Sequence, residues 1–376
     1  MSDFSFIVLG APDQHAFHLL RRGIDLGYVQ LDKKAAAPDV KSIFALWQAN
    51  RPVYIPAVLN DELSRHATAI SQSRLLYEAV LNGDEVEDLL DAAPYATSFG
   101  ERFQILSSRI DEADPQEIIS VDFDVMAGDQ LLMEDIWMRI SWLSYHEEDE
   151  SFRFRFSFGM ENFDDVSEDP QRQLAAAELS QCVFPESAML TENEALITML
   201  RDALNISTFN FVERITYFNA PNGGAQFHHD AEKGHLGVVY AQVTGETFWL
   251  ALSRAELINE MMQFMRDEKN LATLATLFTD SLSSDARVFQ VFCEVLKDKA
   301  QVSAMLKDPA NEAMSVLLNE SKPFFKRLVD AGYAFHLTAG DVILLPQASM
   351  DDCAWHSVFC VGDEAGEALS FAIKPV

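Results

Sequence analysis

Strand-like runs lie on both sides of a long helical stretch in this 376-residue chain. The segments "FNFVERITYFNA", "LGVVYAQV" and "ETFWLAL" precede helical periodicity over 253–331, and "AFHLTAGDVILLP", "WHSVFCVG" and "ALSFAIKP" follow it. Strands before and after a helical block predict one β domain carrying a helical insertion, not a separate C-terminal domain. A chain this long exceeds the usual single core. We therefore expect an N-terminal mixed α/β region over 1–130 and a β domain over 131–376 with the insertion at 253–331, an α+β protein as a whole.

Apolar residues make up 48% of the chain and include 27 Phe, ample for a large interior and unlike a disordered composition. No apolar run reaches the roughly 18–20 residues of a membrane span. The start "MSDFSFIVLG" has no basic residue before its short apolar run, unlike a secretory signal. Cys182, Cys293, Cys353 and Cys360 lack CxxC spacing, so reduced thiols in a cytoplasmic protein are expected. With 28 basic and 59 acidic side chains the net charge is −31, which argues against nucleic acid and anionic membranes as partners. It permits a basic peptide or amine as substrate; the alternative is an acidic surface that serves solubility.

Locally, the pattern predicts a strand over 4–10, a helix over 12–27 and a strand over 28–31, with no GxGxxG or GxxxxGK[ST] cradle for a nucleotide. A helix and then a strand are expected within 42–59, and acidic helices over 74–94. Residues 136–159 read as a β-hairpin turning at "HEEDE". In "FRFRFSF" the period is two, so Phe152, Phe154, Phe156 and Phe158 share one face and Arg153, Arg155 and Ser157 the other. The arginines form either a solvated face or, with Arg139, a cationic wall able to hold a substrate carboxylate. Helix starts are expected at Thr191/Glu194 and Ser253/Glu256 as capping boxes, and at Asp308 followed by Pro309.

The chemistry concentrates in "QFHHDAEKGH", which holds three of the chain's nine histidines. On a strand, His228 and Asp230 project one way and His229 the other. One imidazole and one carboxylate are half of a 2-His-1-carboxylate site, a set that suits Fe(II) because it leaves coordination positions open. The distal "GDVILLPQASMDDCAWHSVF" offers the missing imidazole, His356, at the start of another strand. His235 sits either at the mouth of such a pocket, against substrate, or on the surface. His336 is expected in the core or at an edge, and Trp355 packed under His356.

"ITYFNAPNGGAQFHHDAEKGHLGVVYAQVTGETFWLAL", followed by "AGDVILLP…WHSVF…ALSFAI", resembles the cupin-like JmjC group of Fe(II)/2-oxoglutarate oxygenases. The group includes hydroxylases of ribosomal proteins and of asparaginyl residues. The resemblance covers roughly 41–60 and 209–376. It implies a double-stranded β-helix (jelly-roll) core with His228, Asp230 and His356 as iron ligands and catalytic centre. It also implies 2-oxoglutarate as co-substrate, split to succinate and CO₂ while O₂ oxidises a C–H bond. The family's usual cation for the far carboxylate of 2-oxoglutarate is missing: the two positions that carry it hold Thr247 and Ser370. A buried carboxylate needs a charge partner or several donors. Arg139, Arg153, Arg155, Arg214 and Lys374 are the cationic candidates, with Thr247 and Tyr217 as neutral donors.

The expected activity is therefore hydroxylation of an amino-acid, peptide or protein side chain. The alternatives are an iron oxygenase acting on a small biosynthetic metabolite, or a non-catalytic metal-binding cupin that senses a ligand. The insertion is expected either to cap the barrel mouth or to form a homodimer surface.

Overall fold

A computed structural model describes residues 16–31, 38–157, 160–161, 164–165, 169–282, 286–308 and 310–376. The expected strand over 4–10, Phe158 and Pro309 lie outside the described residues. Where a helix was expected over 12–27, the described part is a hairpin, β1 (Ala16–Arg21) paired antiparallel with β2 (Ile24–Gln30). Arg22 and Gly23 both take positive φ, 50° and 77°, as a tight hairpin turn requires. Phe17, Leu19 and Arg21 then alternate into the interior.

Next come α1 (Val40–Gln48), β3 (Val53–Ile55), α2 (Asn60–Arg65), α3 (Ala67–Asn82), α4 (Val86–Leu90) and α5 (Tyr95–Phe99). A meander follows: β4 (Phe103–Arg109), β5 (Glu117–Ala127), β6 (Gln130–Trp142) and β7 (Phe152–Phe156). A short pair, β8 (Met160–Glu161) and β9 (Asp164–Asp165), leads to α6 (Pro170–Val183), α7 (Ala188–Thr191) and α8 (Glu194–Leu204). The remaining strands are β10 (Phe209–Asn219), β11 (Gly224–His228), β12 (Gly237–Gln242) and β13 (Glu246–Ser253), then β14 (Ala334–Thr338), β15 (Val342–Pro346), β16 (Ala354–Cys360) and β17 (Gly366–Pro375). Between β13 and β14 run α9 (Arg254–Phe264), α10 (Glu268–Leu282), α11 (Ala286–Val295), α12 (Lys299–Met305), α13 (Glu312–Glu320) and α14 (Lys322–Asp330).

Ser253 and Glu256 form the expected reciprocal capping box on α9. The other two helix starts differ. Asn193, not Thr191, caps α8 by accepting from the Leu196 amide, and Asn311, not Asp308, caps α13 by accepting from Met314. In both cases an asparagine closer to the apolar run takes the role, consistent with its strong N-cap preference.

The strands form a large antiparallel sheet in the order β3-β15-β12-β17-β10-β7-β6-β5-β4 and a smaller one, β11-β16-β13-β14. With its many helices, this is an α+β fold. The sheets pack face to face through Val238, Tyr240, Ile343 and Leu345 of the large sheet and Trp249, Ala251, Leu337 and Val358 of the small one. Phe248, Leu250, Leu252 and Phe359, on the other face of the small sheet, are covered by Leu257, Met261, Phe264 and Phe324 of the insertion. Strands buried on both faces need continuous apolar runs, which explains "VILLP" and "TFWLAL". Phe152, Phe154 and Phe156 pack as expected on one face of β7, against Leu179 and Val183 of α6. Each such ring contributes about 1.5–3 kcal/mol by leaving water.

Candidate metal centre

β10 ends at Asn219, and the turn through "APNGG" delivers the chain to β11. Gly223 and Gly224 are required there: a Cβ on Gly223 would sit 2.2 Å from the Ser151 hydroxyl, and Gly224 has φ +123°. β11 pairs antiparallel with β16, matching Gly224 with Phe359, Ala225 with Val358 and, after a register shift, His228 with His356. That irregularity re-aims His228 at the end of its strand. Asp230 lies beyond β11, so it reaches the same side from the following loop and not by strand alternation.

The three side chains converge. The His228 and His356 ring centroids are 4.1 Å apart. Asp230 places Oδ1 3.3 Å from His228 Nε2 and Oδ2 3.5 Å from His356 Nε2. One ligand atom from each lies within 4.8 Å of the others. His228 Nδ1 is 2.7 Å from the Gln226 carbonyl, to which it donates, leaving Nε2 directed at Asp230. Trp249 stacks on His356 with centroids 5.3 Å apart. His229 points away, as expected, and meets Trp355 edge-on at 5.2 Å; Trp355 therefore packs against His229, and Trp249 instead lies against His356.

Burial, then the neighbouring His228, push His356 down to about 3, so it is a neutral donor. For Asp230 burial works the other way, but His356 and His228 outweigh it and hold the carboxyl well below its usual range. His228 is raised overall: burial opposes its charge, and Asp230 overcomes that opposition.

Beside the triad lies a cavity of about 330 Å³, at the small end of the roughly 300–1,000 Å³ typical of ligand sites. Of the candidate residues, Tyr217 and Arg153 line it with the triad. Burial keeps the Tyr217 hydroxyl protonated by raising it. Thr247 is buried outside the lining, its hydroxyl donating to Gln242 Oε1 (2.7 Å) and accepting from Trp249 Nε1 (2.9 Å). Arg214 donates to the Ala177 carbonyl and lies over Phe371. Arg139 is paired with Glu117 at 2.8 Å. Arg155, Lys374 and His235 also lie off the cavity wall. His235 is buried, with Nε2 3.6 Å from Glu213 Oε1, and forms a separate group with Glu213 and Glu232.

The lining adds residues that sequence reasoning missed: Arg22, Asn219, Tyr240 and Trp249. Tyr240 and Trp249 carry a signal, since period-two alternation from neighbours in β12 and β13 turns them inward. Arg22 carries none, because the hairpin turn brings it there. A second hollow of about 390 Å³ lies between β11 and the insertion and shares Gln226, Phe227 and His228 with the first. Among the described residues no helix is long and apolar enough to cross a membrane. All four cysteines are free thiols.

No protein-family profile and no curated protein sequence matches the chain. Among solved structures it is similar to an oxidoreductase of the 2OG-Fe(II) oxygenase family from Burkholderia pseudomallei, at 9% identity over 91% of this chain and 93% of that one, with a TM-score of 0.33. It is also similar to YcfD, a ribosomal oxygenase from Escherichia coli, at 11% identity over 76% of this chain and 44% of that one, TM-score 0.23. The same protein in complex with cobalt and succinic acid gives 12% identity, 76% and 52% coverage and a TM-score of 0.24.

Proposed function

We propose that the chain is a non-haem iron oxygenase that uses O₂ and 2-oxoglutarate to hydroxylate an amino-acid, peptide or protein side chain. The observation that carries this is the convergence of two imidazole Nε2 atoms and one carboxylate on a single point at the wall of a cavity. A divalent cation satisfies all three donors, and a set of three leaves positions open for a chelating co-substrate and O₂.

The placement of the donors supports the same reading. From β10 to β17 successive strands switch between sheet segments ordered β15-β12-β17-β10 and β11-β16-β13-β14, except that β13 and β14, which flank the insertion, are neighbours in the smaller sheet. This order supports a double-stranded β-helix with the triad on its smaller sheet. Bound Fe(II), with 2-oxoglutarate and O₂, supplies the conversion of an unactivated C–H to C–OH as the oxo acid becomes succinate and CO₂. The chain's own residues do the positioning. Gln226 fixes the His228 tautomer, Trp249 fixes the plane of the His356 ring, and Tyr217, Tyr240 and Asn219 wall the interior. The second hollow lets a side chain approach His228 from the insertion side, which favours a peptide or protein substrate.

Anaerobic Fe(II) titration, 2-oxoglutarate-dependent visible absorption and succinate formation in air test the proposal. Iron binding without succinate formation overturns it and leaves a metal-binding sensor.

A further inference from the structure

The chain has 59 acidic and 28 basic residues, yet the cavity beside the triad is lined by two arginines and, apart from Asp230, no carboxylate. The two arginines differ in what they already hold. Arg22 already holds a carboxylate: Nε on Asp149 at 2.9 Å, with the Leu143 and Gly224 carbonyls at 3.0 and 2.7 Å from Nη2. Arg153 makes no ion pair with a described carboxylate, and its Nε is buried without a hydrogen-bond partner. Its side chain hydrogen-bonds Tyr217, its neighbour across the β7–β10 ladder.

Alternation in β7 explains the placement. Phe152, Phe154 and Phe156 are drawn into the core against α6, which turns Arg153 to the opposite face, where Tyr217 and the cavity lie. The next arginine on that face, Arg155, adds to the positive potential; burial, then Arg153, lower it to about 10. The barrel positions do not supply a cation: Thr247 is occupied by Gln242 and Trp249, and Ser370 lines the cavity as a neutral group. A half-buried guanidinium at a cavity wall, without a protein carboxylate, gains most from a ligand carboxylate, which its planar fork can meet with two hydrogen bonds.

We propose that Arg153, assisted by the Tyr217 hydroxyl, receives a carboxylate of the ligand that binds beside His228, Asp230 and His356. The identification of that ligand as 2-oxoglutarate, gripped by the carboxylate farther from the metal, rests on the function proposed above. Carboxylate recognition itself does not. The anion anchor comes from β7, outside the eight strands that bracket the triad.

Succinate and 2-oxoglutarate, titrated into the full-length chain with and without redox-silent Mn(II) and followed by calorimetry and tryptophan emission, test this. Arg153→Met is expected to weaken both dicarboxylates about 30-fold, as loss of a charge-assisted pair implies. Arg153→Lys should recover part of the loss, and Arg155→Met should stay within about threefold of the parent. Thermal unfolding verifies that each variant is folded. Dicarboxylate affinity of folded Arg153→Met within about twofold of the parent overturns the proposal, as does a parent that binds neither diacid. Simultaneous binding of succinate and 2-oxoglutarate, in place of competition, overturns the assignment to the co-substrate. A chain that binds no metal but still takes succinate in an Arg153-dependent way refutes the oxygenase reading and leaves the carboxylate site standing.

Discussion

His228 and His356 are cross-strand partners on β11 and β16, their rings 4.1 Å apart with Asp230 bridging both Nε2 atoms. Removing one of three donors leaves too few for tight binding. His356→Ala and Asp230→Asn are each expected to lower Co(II) affinity at least ~100-fold, more than the 10–100-fold typical of losing an outer-shell partner. Calorimetry and cobalt visible absorption measure it. Unchanged cobalt spectra in either variant would remove the residue from the site.

The pairing that brings the two imidazoles together depends on Gly224. A Cβ there would lie 2.2 Å from the Val358 carbonyl oxygen, in a backbone conformation at φ +123° that side chains rarely adopt. Gly224→Ala must push β11 off β16. We expect a loss of about 3 kcal/mol in urea unfolding, together with weaker cobalt binding. An equally stable variant with parental metal affinity would show that the β11–β16 spacing does not set the site.

The triad is legible in the sequence because its chemistry resides in residue types, HxD and a distal histidine, that no packing rule demands. Even so, Asp230 arrives by a loop after a register shift, and the strand alternation used to predict it holds only as far as His228. The N-terminal hairpin is hidden because its turn is Arg22-Gly23, without the Asn or Asp that usually marks positive φ at the first position. For Arg153, alternation shows that it faces away from Phe152 and Phe154. That this face meets Tyr217 is set by β7 joining β10, a contact between distant segments that no local pattern encodes.

Glu186 and Glu367 are buried together, at 0% and 2% exposure, with Ser73 donating to Glu367. Burial raises both carboxyl groups, and Glu186 raises Glu367 further. An acid raised in the folded state favours folding while protonated, so its contribution is complete below the unfolded value near 4.5 and declines as pH rises through the folded one. Glu367→Gln is therefore expected to gain stability relative to the parent at pH 8 and to show little difference at pH 4. Urea unfolding across that range checks it. Parallel pH profiles for parent and variant would contradict the assignment.

Arg21 ties the N-terminal hairpin to the strands that carry His228 and His356. One of its terminal nitrogens donates to the Ala225 carbonyl, to Ser357 Oγ at 2.7 Å and to the Val358 carbonyl at 3.3 Å; the other reaches Asn319 Oδ1 of α13 at 3.2 Å. Asn319 in turn accepts from the Phe227 amide at 2.8 Å, one residue before His228. The guanidinium thus holds β11, β16 and the insertion in one arrangement, and it is 1% exposed. Arg21→Met fills much of the volume but leaves buried acceptors without a donor, each worth about 1–3 kcal/mol. We expect a loss of about 3 kcal/mol in stability and, because Ala225 and Ser357 lie close to His228 and His356 on their strands, roughly tenfold weaker cobalt binding. Arg21→Lys retains a charge but cannot span four acceptors, so it should fall between the two. If cobalt affinity is unchanged while stability drops, Arg21 braces the fold alone and the hairpin has no part in shaping the site.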